Sequence, residues 1–386
     1  MDRFLQLHLL TAYPPANLNR DDLGRPKTAI LGGKQRLRIS SQSLKRAWRT
    51  SDVFKQALGN GPNGHLPLSD EFVEGLGDPA LSPHLGVRTK DIGIAIRNVL
   101  IARDVKEGDA KKWAKTIAEK FGDSDKATDE QPLRDLQLKQ PNLFSMDELS
   151  QMDQLARRLA EENRAPKEEE LGVLRADHRM VDIGMFGRML AHKNNYIREE
   201  AAVQVAHAVT VHEAPVENDF FTAVDDLNLS AKSGKPGEDA GAAFVGDFEF
   251  GAGLFYLYVC VDREELLRNL QNDDDLWKRS LRALTESAAT VAPTGKQNSF
   301  GSRAYANFIL AERGNKTPRT LTVAFLEPVG AGDPVTEAIE KLSTTRTNMN
   351  KVYNLDEASV EVNAHAGNGS FDTLLDFVVA EGGAGQ

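Results

Sequence analysis

The chain has 386 residues, 40% of them apolar and 27% charged, enough to bury a full core and to build two or three structural units. One cysteine, Cys260, excludes a disulfide framework and a cysteine-rich zinc site, and "MDRFLQLHLLTAYPP" reads as neither a signal peptide nor a membrane span, so the expected location is cytoplasmic, with no membrane partner. A formal net charge of −10 argues against indiscriminate binding of polyanions, yet Arg20 to Arg49 holds nine Lys/Arg against only Asp21 and Asp22, a local basic site on an acidic body.

"FLQLHLLT" alternates as a strand with Leu5, Leu7 and Leu9 on one face. "QRLRIS" reads as a second strand, with Leu37 and Ile39 inward and Arg36 and Arg38 outward. Ser40 and Ser41 then offer N-cap hydroxyls to a helix whose Leu44, Ala47 and Trp48 share one side, while Lys45 and Arg49, four apart, share the other. The positive end of that helix suits a phosphate, with Gln42 and Ser43 in its first turn. A solvated charged face is the plain alternative. Gly32-Gly33 permits a close backbone approach or an unusual φ. It is not a Walker A loop, because Thr28 stands where the first glycine is needed and Lys34 is followed by Gln.

Residues 59 to 85 are rich in Gly and Pro, and from Val87 to Glu162 the pattern turns helical, with a capping box at Ser145 and Glu148. With the charged linker "NRAPKEEE", residues 59 to about 175 read as a helical insertion in a core that contains a sheet. In "VDIGMFGRML", Met185, Phe186, Met189 and Leu190 are either core or, at Arg188 and Met189, a cation and an apolar wedge for stacked bases. "YIREEAAVQVAHAVTVH" predicts an amphipathic helix, and its His207 and His212 are five apart, unlike a zinc pair in HExxH, and read as structural.

Strand-like ends at Phe220–Val224 and Phe244–Phe250 flank a polar segment from about Asn228 to Gly241, the pattern of a long, mobile hairpin. Adjacent Phe220 and Phe221 must point to opposite faces, so one can pack while the other offers a stacking surface. "GLFYLYVCV" reads as a buried strand with Cys260 in the core. Lys296, Gln297 and Asn298 sit in a Pro/Gly loop as a second anion contact, and the chain closes with a predicted strand "LTVAF", an amphipathic stretch and a flexible "EGGAGQ".

The ordered set "LNRDD", "K.AI.GGK.R.RISSQSLKRA", "GRM", "AHA.T.H", "FFTAVDD" and "GKQ" resembles the CasC family, the repeated backbone subunits of the type I-E CRISPR surveillance complex Cascade, in the RAMP superfamily. The likeness runs from the first strand to roughly residue 300 and is weakest in the helical insertion and the C-terminal segment. It implies an α+β fold, with an RRM-like ferredoxin-type palm (1–58 and 176–386), helical fingers (59–175) and a β-hairpin thumb (about 216–250). Implied partners are CRISPR RNA, neighbouring copies of the chain, other Cascade subunits and target DNA through the guide, with no cofactor, metal or catalytic residue. Carried over by position, RNA contacts fall on Arg20, Lys27, Lys34, Ser40, Gln42, Lys45 and Arg49, then on Arg188 and Met189, on Phe220 and Phe221, and on Lys296 and Gln297; Arg36 and Arg38 join them from the strand alternation. Arg49 replaces an expected Lys and Phe220 an expected Trp, each keeping the chemistry. Two other readings are a general single-stranded RNA-binding protein and a metal-dependent ribonuclease of the same superfamily, the latter using Asp21, Asp22, Asp225 or Asp226.

Overall fold

The computed structural model describes all residues except 59–67, 78, 80, 83, 173–179, 193–194, 224–243, 331 and 382–386, with backbone alone at 189–192, 195–199, 223 and 244–245. The strands are β1 (Phe4–Ala16), β2 (Thr28–Leu31), β3 (Lys34–Ile39), β4 (Val87–Thr89), β5 (Asn142–Phe144), β6 (Arg188–His192), β7 (Asn195–Glu199), β8 (Val203–Val205), β9 (Ala208–Thr210), β10 (Glu217–Ala223), β11 (Phe244–Asp262), β12 (Phe308–Gly314) and β13 (Ala358–Asn363). Met1–Ser51, Val205–Cys260 and Leu284–Gln386 form one compact unit; Asp52–Gln204 and Val261–Ala283 form another.

The first unit is built on a mostly antiparallel sheet in the order β13-β12-β1-β11-β9-β3-β2, which makes the fold mixed α+β. In β1, Leu5 through Leu10 are all buried, because strands lie on both sides of it and both of its faces are covered. On one face Leu10, Tyr256, Tyr258, Cys260, Phe308 and Leu310 pack with Phe325, Ala338 and Leu342 into a core. The last two come from the helix Pro334–Tyr353, started by Asp333, whose carboxylate accepts from the N–H groups of Val335 and Thr336. The same β1 face also buries Gln6 and His8. His8 Nδ1 meets the Tyr256 hydroxyl at 2.8 Å and its Nε2 lies 3.2 Å from Glu312, which in turn binds Arg319 and Arg346 at 3.1 and 2.7 Å.

β2 and β3 are joined by Gly32 and Gly33 at φ 59° and 74°, a two-residue turn with positive φ at both positions that matches the twist of its strands. The helix α1 (Ser41–Thr50) follows β3 directly. Ser40 caps it by accepting from the Ser43 N–H, and Leu44, Ala47 and Trp48 form its buried side, as their spacing predicts. Cys260 is buried, also as expected.

The second unit packs the helices Ile92–Ile101, Glu107–Ala118 and Met146–Glu161 around Ile96, Trp113, Ile117, Leu149 and Leu159. The capping box is present: Ser145 accepts from the Glu148 N–H and Glu148 from the Ser145 N–H. β4 pairs with β5, and β6 with β7.

Two predicted elements are corrected. "YIREEAAVQVAHAVTVH" is not a helix but parts of β7, β8 and β9. Its Val and Thr residues suit a pleated surface, and pairing with the long β11 overrides the helical spacing of its alanines. "LTVAF" is a 3₁₀ turn, Thr322–Phe325, and not a strand; Leu321 and Phe325 are buried while Val323 is exposed. The predicted mobile segment Asn228–Gly241 and all of "EGGAGQ" but its first residue lie outside the described residues.

Candidate nucleic-acid interface

In the first unit an open cavity of about 780 Å³ is lined by Leu18–Asp22 and Gly24 of the loop after β1, by Ser43, Arg46 and Thr50 of α1, and by Thr294–Lys296. It unites Arg20 and Lys296, predicted from distant parts of the sequence, and adds Arg46, which the sequence reading counted among the cations without assigning it a role. None of these three forms an ion pair with a described residue, although Asp21 and Asp22 line the same cavity. Asp21 is committed to its turn, where Oδ1 accepts from the N–H groups of Leu23 and Arg25 at 3.0 and 2.9 Å. Asn19 Oδ1 accepts from the Ser40 N–H at 2.8 Å, which ties the loop to the start of α1.

The Thr294–Lys296 loop lies against the loop after β1 so closely that a Cβ on Gly295 would stand 2.4 Å from the Leu18 carbonyl oxygen. Lys296 follows in the left-handed region at φ 47°, and its Nζ is 4.9 Å from the centre of the Phe248 ring. Phe248 belongs to a cluster in which it contacts Phe221 at 5.4 Å and Phe300 at 5.5 Å between ring centres. β10 and β11 are antiparallel from Glu217↔Phe250 to Ala223↔Phe244, the two expected arms. Phe221 packs on Phe248, whereas Phe220, on the opposite face, is 68% exposed and free to stack.

Lys45 and Arg49 sit half-buried on α1, and burial lowers the Lys45 ammonium from its usual value. Gln42 is exposed, and its Oε1 accepts from Ser41. Ser40 is buried and occupied as the cap. Lys34 is exposed beside Glu213 at 3.1 Å, and Lys27 is half-buried in the strand-like run before β2. Arg38 donates to Thr28 O and to His207 Nδ1, the latter at 2.8 Å; burial, then the charges of Arg38 and Lys27, keep His207 below its ordinary value and so neutral enough to accept. His212 donates from Nδ1 to the Glu213 carbonyl and accepts the Leu254 N–H at Nε2, a structural role. Gln297 is half-buried and accepts from Ser302.

Two site residues do not stand where the sequence put them. Arg36 is fully buried and not outward: its guanidinium donates to the carbonyls of Thr210 and Phe325 at 3.2 and 3.0 Å, because the 3₁₀ turn covers that face of β3. Arg188, in the second unit, is also buried and donates to Glu148 at 2.6 Å and to the Leu143 carbonyl at 3.0 Å, so its charge serves the capping box and not a surface. The Met189 side chain, Asp225 and Asp226 lie outside the described residues. Among the described residues no cluster of three or more His, Cys, Asp or Glu could hold a metal ion, and no helix is long and apolar enough to cross a membrane.

The family model of the CT1975-like proteins matches residues 5–374. The chain belongs to that family. A chain of a solved CRISPR RNA-guided surveillance complex, pre-nicking, is similar to this CT1975-like protein with a TM-score of 0.74 and 25% identity, over 97% of this chain and 99% of that one. A chain of another CRISPR RNA-guided surveillance complex shares the fold, at TM-score 0.56 and 22% identity over 97% and 98%. No curated protein matches the sequence. The first likeness agrees with the resemblance to a Cascade subunit that the motifs carry.

Proposed function

We propose that this CT1975-like protein is a non-catalytic, RNA-binding backbone subunit of a type I-E CRISPR Cascade complex, acting in the cytoplasm. On this reading residues 1–58 and 176–386 are an RRM-like palm, 59–175 the fingers and about 216–250 the thumb. Copies assemble head to tail along one CRISPR RNA, kink it at regular intervals and hold the spacer for pairing with target DNA. Each copy contributes a modest, phosphate-dominated affinity that is independent of sequence and falls with salt. Copies bound to one strand gain avidity, and base pairing supplies specificity. Head-to-tail contacts are heterologous and propagate a filament, so RNA length and other subunits must set its end.

The observation that carries the reading is the meeting of Arg20 and Lys296 in one cavity, without an ion-pair partner among the described residues, beside the Phe248 cluster. Cations next to aromatic faces are what a single strand with charged backbone and stackable bases requires. The near end-to-end likeness to a surveillance-complex chain supports the assembly.

The test is to purify the tagged protein gently from its host, sequence the RNA and identify the proteins that accompany it. A single size class of CRISPR-derived RNA with other Cascade subunits is expected. Random RNA bound by this protein alone would make it a general single-strand binder, and no RNA at all would refute the reading. The pair Lys45→Ala and Arg49→Ala is expected to weaken RNA binding without unfolding the protein, since Leu44, Ala47 and Trp48 form the buried side of α1. Unchanged affinity at moderate salt would remove that helix from the RNA track.

A further inference from the structure

The cations of α1 do not lie in one row. At about 100° per residue, Lys45 and Arg49 lie about 40° apart, and Arg46 lies about 100° from Lys45 and about 60° from Arg49, toward the side that carries Ser43 and Thr50. The cavity follows that division: Ser43, Arg46 and Thr50 line it, whereas Lys45 and Arg49 do not. We propose that Arg46, together with Arg20 and Lys296, holds a backbone phosphate of the bound RNA inside this cavity, a contact separate from that made by Lys45 and Arg49. The inference rests on the RNA-binding reading above.

Three cations from three separate stretches of chain face one space with no ion-pair partner among the described residues. Elsewhere in the same unit the exposed cations Arg25 and Lys34 are matched by Glu249 and Glu213 at 3.4 and 3.1 Å. Asp21 and Asp22 line the same space, but Asp21 is committed to its own turn and neither carboxylate pairs with the three cations, so the cavity keeps a net positive charge that an entering anion offsets. The wall is also fixed in place. Gly295 lets the loop bearing Lys296 touch the loop bearing Arg20, and the Thr50 hydroxyl is turned back onto the Arg46 carbonyl at 2.8 Å. Asn19, which lines the cavity, presents its oxygen to the Ser40 N–H, which leaves its NH₂ as a neutral donor. A phosphodiester accepts from all of these at once. An acidic protein segment would use the cations too; the aromatic cluster of Phe248 next to Lys296, beside the cavity and not in its lining, suits the bases of a bound strand and favours RNA.

The test measures binding of a fluorescent oligouridine to the full chain by anisotropy across a salt series, for the wild type, Arg46→Gln, the pair Lys45→Ala/Arg49→Ala, and the triple variant. Arg46 is exposed, so Arg46→Gln should keep the wild-type melting temperature. One lost phosphate contact on a single strand should lower the slope of log K against log salt by about 0.7 and the affinity roughly fourfold at physiological salt. The loss should appear on top of that of the Lys45/Arg49 pair in the triple variant, because of the three only Arg46 lines the cavity. Wild-type affinity and slope in Arg46→Gln, with the wild type binding RNA well, would overturn the inference and leave the RNA reading standing. Displacement of the RNA by a polyglutamate peptide from the wild type but not from Arg46→Gln would assign the cavity to an acidic segment and also overturn it. Failure of the wild type to bind RNA would remove both.

Discussion

Gly295→Ala should damage stability and RNA binding together, by an amount the geometry sets. The added Cβ would meet the Leu18 carbonyl oxygen at 2.4 Å and the Asn17 carbonyl oxygen at 2.9 Å. Ordinary contact begins near 3.4 Å, so the two loops must part by at least 1 Å. Both opposing atoms are backbone, and no side chain can swing aside to absorb the clash. Overpacking of that kind costs roughly 1–3 kcal/mol. In a unit of this size each kcal/mol lowers the melting temperature by about 2–4 °C, so a fall of roughly 2 to 12 °C is expected in a thermal scan followed by circular dichroism. The same displacement separates Lys296 from Arg20, which should reduce RNA affinity at moderate salt in the anisotropy assay. A melting temperature within a degree of the wild type, with unchanged affinity, would show that the loops are not in contact and that the cavity is wider than described.

Trp48→Ala should cost roughly 3–5 kcal/mol, because Trp48 is fully buried on the inner side of α1; Trp48→Phe should cost about 1 kcal/mol or less, since the indole N–H has no hydrogen-bond partner among the described residues to lose, and denaturant midpoints would separate the two. Stability should also fall on acidification in two steps. Burial, against the pull of Glu312, holds His8 below 6.5, so the unfolded chain protonates first and stability declines as pH drops below that value. Burial alone would raise Glu312, but His8, Arg319 and Arg346 bring it down to about 2, so a second loss runs from 4.5 toward 2. Melting temperatures from pH 8 to 2 test the sign, and His8→Gln should flatten the first step; a wild-type profile that rises on acidification would contradict it.

Local pattern carried much of this structure. The alternation of β1 and β3, the Ser40 cap, the buried side of α1 and the Ser145–Glu148 box are each decided within a few residues, and each was legible. What escaped depended on partners far away in the chain. Arg36 looked outward until Phe325, 289 positions on, supplied a carbonyl over it. Arg188 read as a surface cation until Glu148, 40 positions back, took its charge. The run from Tyr196 to His212 spaced its alanines like a helix, and only strand pairing reverses that choice. Arg46 was visible as a cation, but its separation from Lys45 and Arg49 has meaning only once the loops around Arg20 and Lys296 are seen to meet beside it.

The length of β11 ties the aromatic arm to the centre of the sheet through residue parity. Phe248 and Phe250, which touch Phe300, are even-numbered members of one continuous strand, as are Tyr256, Tyr258 and Cys260 in the core. Because side chains alternate, adding or removing one residue between Phe250 and Tyr256 would turn the arm's aromatic row to its opposite side while leaving the core row in place. Changes of two residues would preserve the phase. The arm can therefore vary in reach in steps of two without losing its aim, and a single-residue change is the one its function should not tolerate.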